Sequence, residues 1–202
     1  ILNQDISRVG ALDLKFYNKK FDNDYNKQLK KHIDKTKPVV FLMGLDEINF
    51  STFENAFIVY LGHHGDVSAS IADIILPTPA YTEKSSTYMN IEGRVIQTTK
   101  CHNPLGEAKE EWKIFRVLSD LFEKDLNFNN LGELRNELTS NYGQFALLNE
   151  VNSIGEITFA KKNKIENIKI NYNIENFYMN DSISRSSETM ARCTKDILNK
   201  AA

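Results

Sequence analysis

Three short stretches bring together side chains that could do acid–base, metal or phosphate chemistry. His63-His64-Gly65-Asp66 follows directly on an apolar run, and two imidazoles with a carboxylate could relay a proton or begin a metal site. Tyr81-Thr82-Glu83-Lys84 and Asn90-Ile91-Glu92-Gly93-Arg94 form the densest polar stretch. There Glu83, Asn90, Glu92 and Arg94 offer carboxylates, an amide and the planar guanidinium fork that suits phosphate. Cys101-His102 has the residue types of a thiolate–imidazole pair, and Asp181 opens the hydroxyl-rich Ser182-Ile183-Ser184-Arg185-Ser186-Ser187.

Each stretch also has a plainer reading. Adjacent residues on a regular element do not project to one point, and no second group of His or carboxylate is spaced to complete a shell around His63, His64 and Asp66, so a hydrogen-bonded loop or interface is favoured. For Glu83 to Arg94 a buried ion-pair loop closing a sheet outweighs a cofactor clamp. Cys/His nucleophile pairs meet across a fold, not along the chain, and serines beside an aspartate are ordinary helix-capping chemistry. Trp112, the sole tryptophan, begins an apolar helical stripe and reads as core. No GxGxxG, GxxxxGK[ST] or GxSxG occurs.

The elements that must position these groups are legible as apolar runs. Val39 to Met43 and Ala56 to Leu61 are β-branched and aromatic, each closed by a glycine, Gly44 and Gly62. Such runs are expected in strands buried on both faces of a parallel sheet. Asp73 to Leu76 is a third, ended by Pro77, with room for only a short helix from Val67 to Ala72 before it. His63 therefore stands at the carboxyl end of a strand, where open α/β sheets take their ligands. Residues 86–97 suggest an extended segment bent at Gly93. Residues 110–124 predict a helix with Trp112, Phe115, Leu118, Leu121 and Phe122 on one face, and Asn130 with Glu133 resembles a capping box opening another.

The expected organisation is a lysine-rich lead-in over 1–37 with one short helix near Tyr25 to Ile33, an α/β lobe over 38–140, and an extended carboxyl-terminal arm over 141–202 that ends in a helix. An edge strand is suggested by alternation at Ile165, Ile168 and Ile170, and a terminal helix by Met190, Cys193 and Ile197. The fold class is α/β, mostly parallel with flanking helices.

Composition excludes several classes. Against 27 acidic residues stand 25 Lys and Arg, with no basic block suited to nucleic acid. No apolar run approaches the roughly 18 to 20 residues of a membrane span. The two cysteines lie 92 positions apart, in no CxxC or Cys/His spacing for zinc or an iron–sulfur cluster. The count of 22 Asn, 19 Lys and 19 Ile against 9 Gly points to a compositionally skewed genome. The chain opens on Ile1 with neither a signal-type apolar region nor a transit-type start, as expected of a processed chain or the later part of a longer one.

The segments Phe57 to Asp66, Ile71 to Pro77, Ala80 to Lys84, Tyr88 to Arg94 and Pro104 to Ile114, with Ser7 to Leu14 before them, resemble the large iron–sulfur subunit of respiratory complex I. Asn176 to Cys193 resembles the extreme carboxyl terminus of its mitochondrial form. The resemblance implies a lobe similar to molybdopterin oxidoreductases that has lost the cofactor, with Ile71–Pro77 and Asn90–Arg94 inherited as scaffold; Ser68-Ala69-Ser70 and Thr78-Pro79 depart slightly from the family pattern. It implies no cofactor, metal or catalytic residue in this chain. Iron–sulfur clusters are expected in an amino-terminal half, attached or encoded as a separate polypeptide. The implied partners are that half and other peripheral-arm subunits, on the matrix side of the mitochondrial inner membrane, supporting electron transfer from NADH to ubiquinone. The competing expectation is a fragment of a molybdopterin-dependent enzyme such as a formate dehydrogenase, whose pterin would contact Arg94 and the loop after Gly62.

Overall fold

The computed structural model describes residues 8–16, 25–45, 49–65, 67–151 and 176–198. The chain opens with α1 (Arg8–Asp13) and α2 (Tyr25–Thr36). Helix α2 stops where Lys37 turns into the left-handed region and its N–H bonds the Ile33 carbonyl at 2.8 Å. The chain then enters β1 (Val39–Met43) directly.

Three parallel strands follow in sequential order, β1, β2 (Phe57–Gly62) and β3 (Ile74–Pro77), with the short α3 (Val67–Ile71) crossing between β2 and β3. Register aligns Val39 with Phe57, Phe41 with Val59 and Val59 with Ile74. The expectation of strands buried on both faces holds for β2, where Ile58 through Gly62 are buried. It does not hold for β1 and β3, which among the described residues are the two edges of a three-stranded sheet and which each expose apolar side chains. Leu42, Ile58 and Tyr60 form the core on one face, against Val40, Phe53, Ala56 and the α3 residues Ala69 and Ile71.

Asp73 explains the start of β3. Its carboxylate accepts the Ile58 N–H at 2.7 Å, and its own N–H bonds the Ile58 carbonyl at 2.9 Å. One side-chain and one backbone bond thus pin the entry to β3 beside Ile58, one residue before the first register pair, Val59 with Ile74. Buried Ser68 donates to the Leu45 carbonyl and ties α3 to the loop after β1.

The extended segment bent at Gly93 is an antiparallel hairpin of β4 (Thr87–Met89) and β5 (Val95–Gln97). Around it Met89, Val95 and Phe145 form a second core with Val9, Leu138 and Tyr142. Helix α1 is a departure from the sequence reading, which expected only one short helix in the lead-in, near Tyr25 to Ile33; an element this short shows no periodicity. It is held by contact: a Cβ on Gly10 would lie 3.3 Å from Met89 Cβ. The second core therefore draws on the lead-in, the lobe and the segment after residue 140.

Helix α4 (Glu111–Leu121) forms where its periodicity predicts. Phe115 reaches β1, its ring 5.5 Å from that of Phe41, and Trp112 meets Phe128 edge-on at 6.3 Å. The far end of the predicted stripe is not core: Leu121 and Phe122 are exposed. Helix α5 (Leu131–Asn141) is capped by Asn130, whose amide oxygen accepts the Glu133 N–H. The return bond of the capping box falls one residue early, from the Asn129 N–H to Glu133. The tail closes the chain with α6 (Ser182–Arg185), α7 (Glu188–Cys193) and a wider π-type turn over Thr194–Leu198. The alternation at Ile165, Ile168 and Ile170 lies outside the described residues.

Candidate functional site

The carboxyl end of β2 is shaped by one close approach. Tyr60 and Gly62 point to the same face, and the Tyr60 ring lies so flat over Gly62 that a Cβ there would sit 2.1 Å from its hydroxyl oxygen. Only glycine leaves that room. The Tyr60 hydroxyl then donates to the His64 carbonyl at 3.2 Å, holding the loop that carries the two histidines.

His63 and His64 do converge, contrary to the expectation from adjacency. Their Nδ1 atoms are 2.6 Å apart and their rings meet edge-on. The contact needs one N–H and one bare nitrogen, so the two rings cannot both carry a proton there. Partial burial, then the neighbouring His64 and the Lys84 ammonium, hold the His63 pKa below its ordinary value of 6.5. Asp66 lies outside the described residues. Among those described, no group of three or more His, Cys, Asp or Glu stands close enough to hold a metal ion.

The segment after β3 packs beside this loop. The Thr78 N–H bonds the Gly62 carbonyl at 2.9 Å. Glu83 folds back, its carboxylate accepting the Ala80 N–H at 3.0 Å with His102 Nε2 at 3.9 Å. Lys84 pairs with Glu111 of α4 at 2.5 Å, both largely buried. Beside that pair, Glu110 accepts from Trp112 Nε1 and Lys113 at 2.9 Å each. Burial opposes ionisation of Glu110, but these two donors outweigh it and leave its pKa below the ordinary value.

The tail completes the site. Asp181 caps α6 by accepting the Ile183 and Ser184 N–H groups at 2.9 and 3.0 Å, and Ser184 Oγ answers the Asp181 N–H at 3.1 Å. The Ser184 N–H foremost, opposed by burial and joined by the Ser184 hydroxyl and the Ile183 N–H, holds the Asp181 carboxyl below its ordinary pKa; Arg185 adds to this from nearby. Ser187 caps α7 in turn, so the hydroxyls act as caps, as the sequence suggested. Asn176 and Thr194 link the two ends of the tail at 3.1 Å. Between tail and lobe lies a cavity of about 530 Å³, lined by His63 and Tyr81 on one side and Asp181, Ser184, Ser187 and Met190 on the other.

The other sequence candidates lie elsewhere and do different work. Asn90, Glu92 and Arg94 build the β4–β5 turn: the Asn90 amide oxygen accepts the N–H groups of Glu92 and Arg94, each at 2.9 Å, while Gly93 takes φ +80°. Arg94 pairs with Glu92 at 3.7 Å and donates to the Asn149 carbonyl. This pair is half exposed, not the buried pair the sequence suggested, because a hairpin tip faces solvent. Trp112 packs edge-on against Phe128 and donates from its indole N–H to Glu110. Sequence reasoning gave no role at the site to Tyr60, Gly62, Asp73 or Tyr81 themselves, although each stood within a run it singled out. The pairing of an aromatic residue with a glycine two positions on, in a strand, was the available signal for the first two.

Comparison with known proteins aligns with this geometry. The family model "Molybdopterin oxidoreductase" matches residues 1–121, and the model of the carboxyl-terminal part of the NADH-ubiquinone oxidoreductase G subunit matches residues 149–193. The chain is similar to the NADH-ubiquinone oxidoreductase 75 kDa subunit of Reclinomonas americana, 39% identical over 96% of this chain and 28% of that protein. It is likewise similar to the NADH-quinone oxidoreductase G subunit of Rickettsia bellii, 38% identical over 96% of this chain and 27% of the relative. The mitochondrial 78 kDa subunit of NADH-ubiquinone oxidoreductase from Candida albicans is 42% identical, over 96% of this chain and 27% of its own. The chain thus spans little more than a quarter of the length of these curated relatives.

The residues present do not fit a molybdopterin. The cofactor's phosphates need cations or converging N–H donors. Among the described residues, neither Lys nor Arg lines the cavity at the end of β2, and the cavity carries the Asp181 carboxylate, which its donors keep ionised. Arg94, the guanidinium expected at a pterin, is engaged in the hairpin turn.

Proposed function

This chain belongs to the molybdopterin oxidoreductase family, and we propose that it serves there as the structural, cofactor-free end of the large iron–sulfur subunit of respiratory complex I. It binds no cluster and performs no chemical step itself. The iron–sulfur clusters belong to the amino-terminal half of that subunit, in the same or a separate polypeptide. The chain supports electron transfer from NADH to ubiquinone by stabilising that half and the neighbouring peripheral-arm subunits. It acts on the matrix side of the mitochondrial inner membrane; among the described residues no helix is long and apolar enough to cross a bilayer.

The observation that carries this reading is the tail. Residues 149–193 match the carboxyl-terminal model of the complex I large subunit, and within that stretch Asp181 to Met190 line one side of the cavity that His63 lines on the other, at the carboxyl end of the sheet where such folds take ligands. A wall of the chain's own polypeptide on that cavity, carrying an aspartate and neither Lys nor Arg, supports a scaffold in place of a pterin site. The similarity to the mitochondrial 78 kDa subunit of Candida albicans supports the compartment.

The test is isolation of the native complex through a tag on this chain, with subunit identification and assay for molybdenum and pterin. Cluster-bearing subunits, NADH oxidation and no molybdenum are the expected result. Molybdenum and pterin in one-to-one ratio with this chain would replace the reading with that of a pterin enzyme such as a formate dehydrogenase.

A further inference from the structure

We propose that His63 and His64 form a proton-sharing pair that takes up one proton as a unit and, through its charge, sets how firmly the carboxyl-terminal tail is held against the lobe.

The geometry of the pair is that of a linear bond between two ring nitrogens. The Nδ1 atoms are 2.6 Å apart and the ring centroids 4.8 Å. That centroid separation is close to the most that such a nitrogen contact allows, so both Nδ1 atoms lie nearly on the line between the rings. A neutral pair has two protons, one of them in this contact. A third settles on an outward Nε2 without disturbing the contact and leaves the pair with a single positive charge. The contact is then a bond from an imidazolium to a neutral ring, and charge-assisted bonds of this kind are the shorter and stronger ones. A fourth proton would set two N–H groups pointing at each other across 2.6 Å, and the contact must open. The two rings therefore titrate as one coupled site in two separate steps.

The surroundings hold the pair in place and fix the sign of its effect. The Tyr60 hydroxyl bonds the His64 carbonyl at 3.2 Å, and the Thr78 N–H bonds the Gly62 carbonyl at 2.9 Å, so the loop is tied on both sides of His63. Lys84 and Glu111 act on His63 with opposite signs and pair with each other at 2.5 Å. Glu83 favours the added proton and stands 3.9 Å from His102. Burial, then His64 and Lys84, outweigh the two carboxylates and make the second proton the harder one to add. Across the cavity from His63 and Tyr81 lies Asp181, with Arg185 nearby. Asp181 keeps its charge well below neutral pH, so between about pH 8 and 5 the charge that changes across the cavity is that of the histidines. One positive charge gained opposite a fixed carboxylate draws the tail toward the lobe.

The experiment follows the ring nitrogens of the full chain by NMR from about pH 8.5 to 4. The His63 and His64 signals should shift together in a first step and again in a second at least about one pH unit lower. Amide exchange of Ile183 and Ser184, whose N–H groups bond Asp181, should slow by about threefold across the first step after correction for the intrinsic rate. His64→Gln should turn the His63 titration into a single step and abolish the response of the tail. His102→Gln, at the ring beside Glu83, should leave both steps and the response in place. Asp181→Asn should keep the two ring steps and remove the response. The ring titration of the unaltered chain decides the first half of the proposal even where a variant folds poorly. Rings that titrate independently, or tail amides indifferent to the first step, overturn it.

Discussion

Replacing Gly62 with alanine tests how the histidine loop is held. The new Cβ would lie 2.1, 2.2 and 2.6 Å from the hydroxyl oxygen, Cζ and Cε1 of Tyr60, where ordinary carbon contacts begin near about 3.5 Å. Tyr60 is 3% exposed, so its ring cannot swing into water and must displace its neighbours. Overpacking of this kind costs about 1 to 3 kcal/mol. Losing the Tyr60 bond to the His64 carbonyl adds about 1 kcal/mol. Together they lower the melting temperature of a chain this size by roughly 5 to 15 °C. Calorimetry on the Gly62→Ala, Tyr60→Leu and double variants completes the cycle. The double variant should be less destabilised than the sum of the singles by about 1 to 2 kcal/mol, since removing the ring removes the clash. A Gly62→Ala protein as stable as wild type, or strictly additive variants, would refute the steric account.

Three further outcomes follow from the site. Asn90→Ala should cost about 1 to 2 kcal/mol in chemical denaturation, because two turn N–H groups lose their acceptor, whereas Arg94→Ala, at a half-exposed pair, should cost under about 1 kcal/mol. Asp181 has a folded pKa below its ordinary 3.8, so its contribution is full above that value and lost as pH falls through the lower folded value; amide exchange in Ser182 to Ser187 should quicken below about pH 4, and Asp181→Asn should blunt that dependence. His63, with a folded pKa below 6.5, binds its proton more readily when unfolded. Its contribution is therefore full above that value and declines as pH drops, and NMR titration of its ring should give a midpoint lower than that of an unfolded peptide.

The parallel strands were legible because β-branched runs closed by glycine have few alternatives, and α4 because its period spans three turns. The exposure of β1 was not legible. A buried central strand and an apolar edge strand read alike, and only the strand order separates them. The site was half legible. His63 and Asp181 were both singled out, but 118 positions of chain separate them, and no local pattern tells that a tail returns to a strand end. Arg94 was misplaced for a related reason. Arg and Glu either side of a glycine look the same in a buried loop and at a solvent-facing hairpin tip, and the Asn90 side chain that organises the turn settles the matter only in three dimensions.

The central claim is that this chain contributes structure, with its own tail where the fold would otherwise take a ligand. The most direct measurement is NADH:quinone turnover and cluster electron paramagnetic resonance per assembled complex, after truncation before Asn176. The account predicts less assembled complex but unchanged turnover and cluster signals in what assembles. Full assembly with turnover lost would contradict it and place chemistry in the tail-covered crevice.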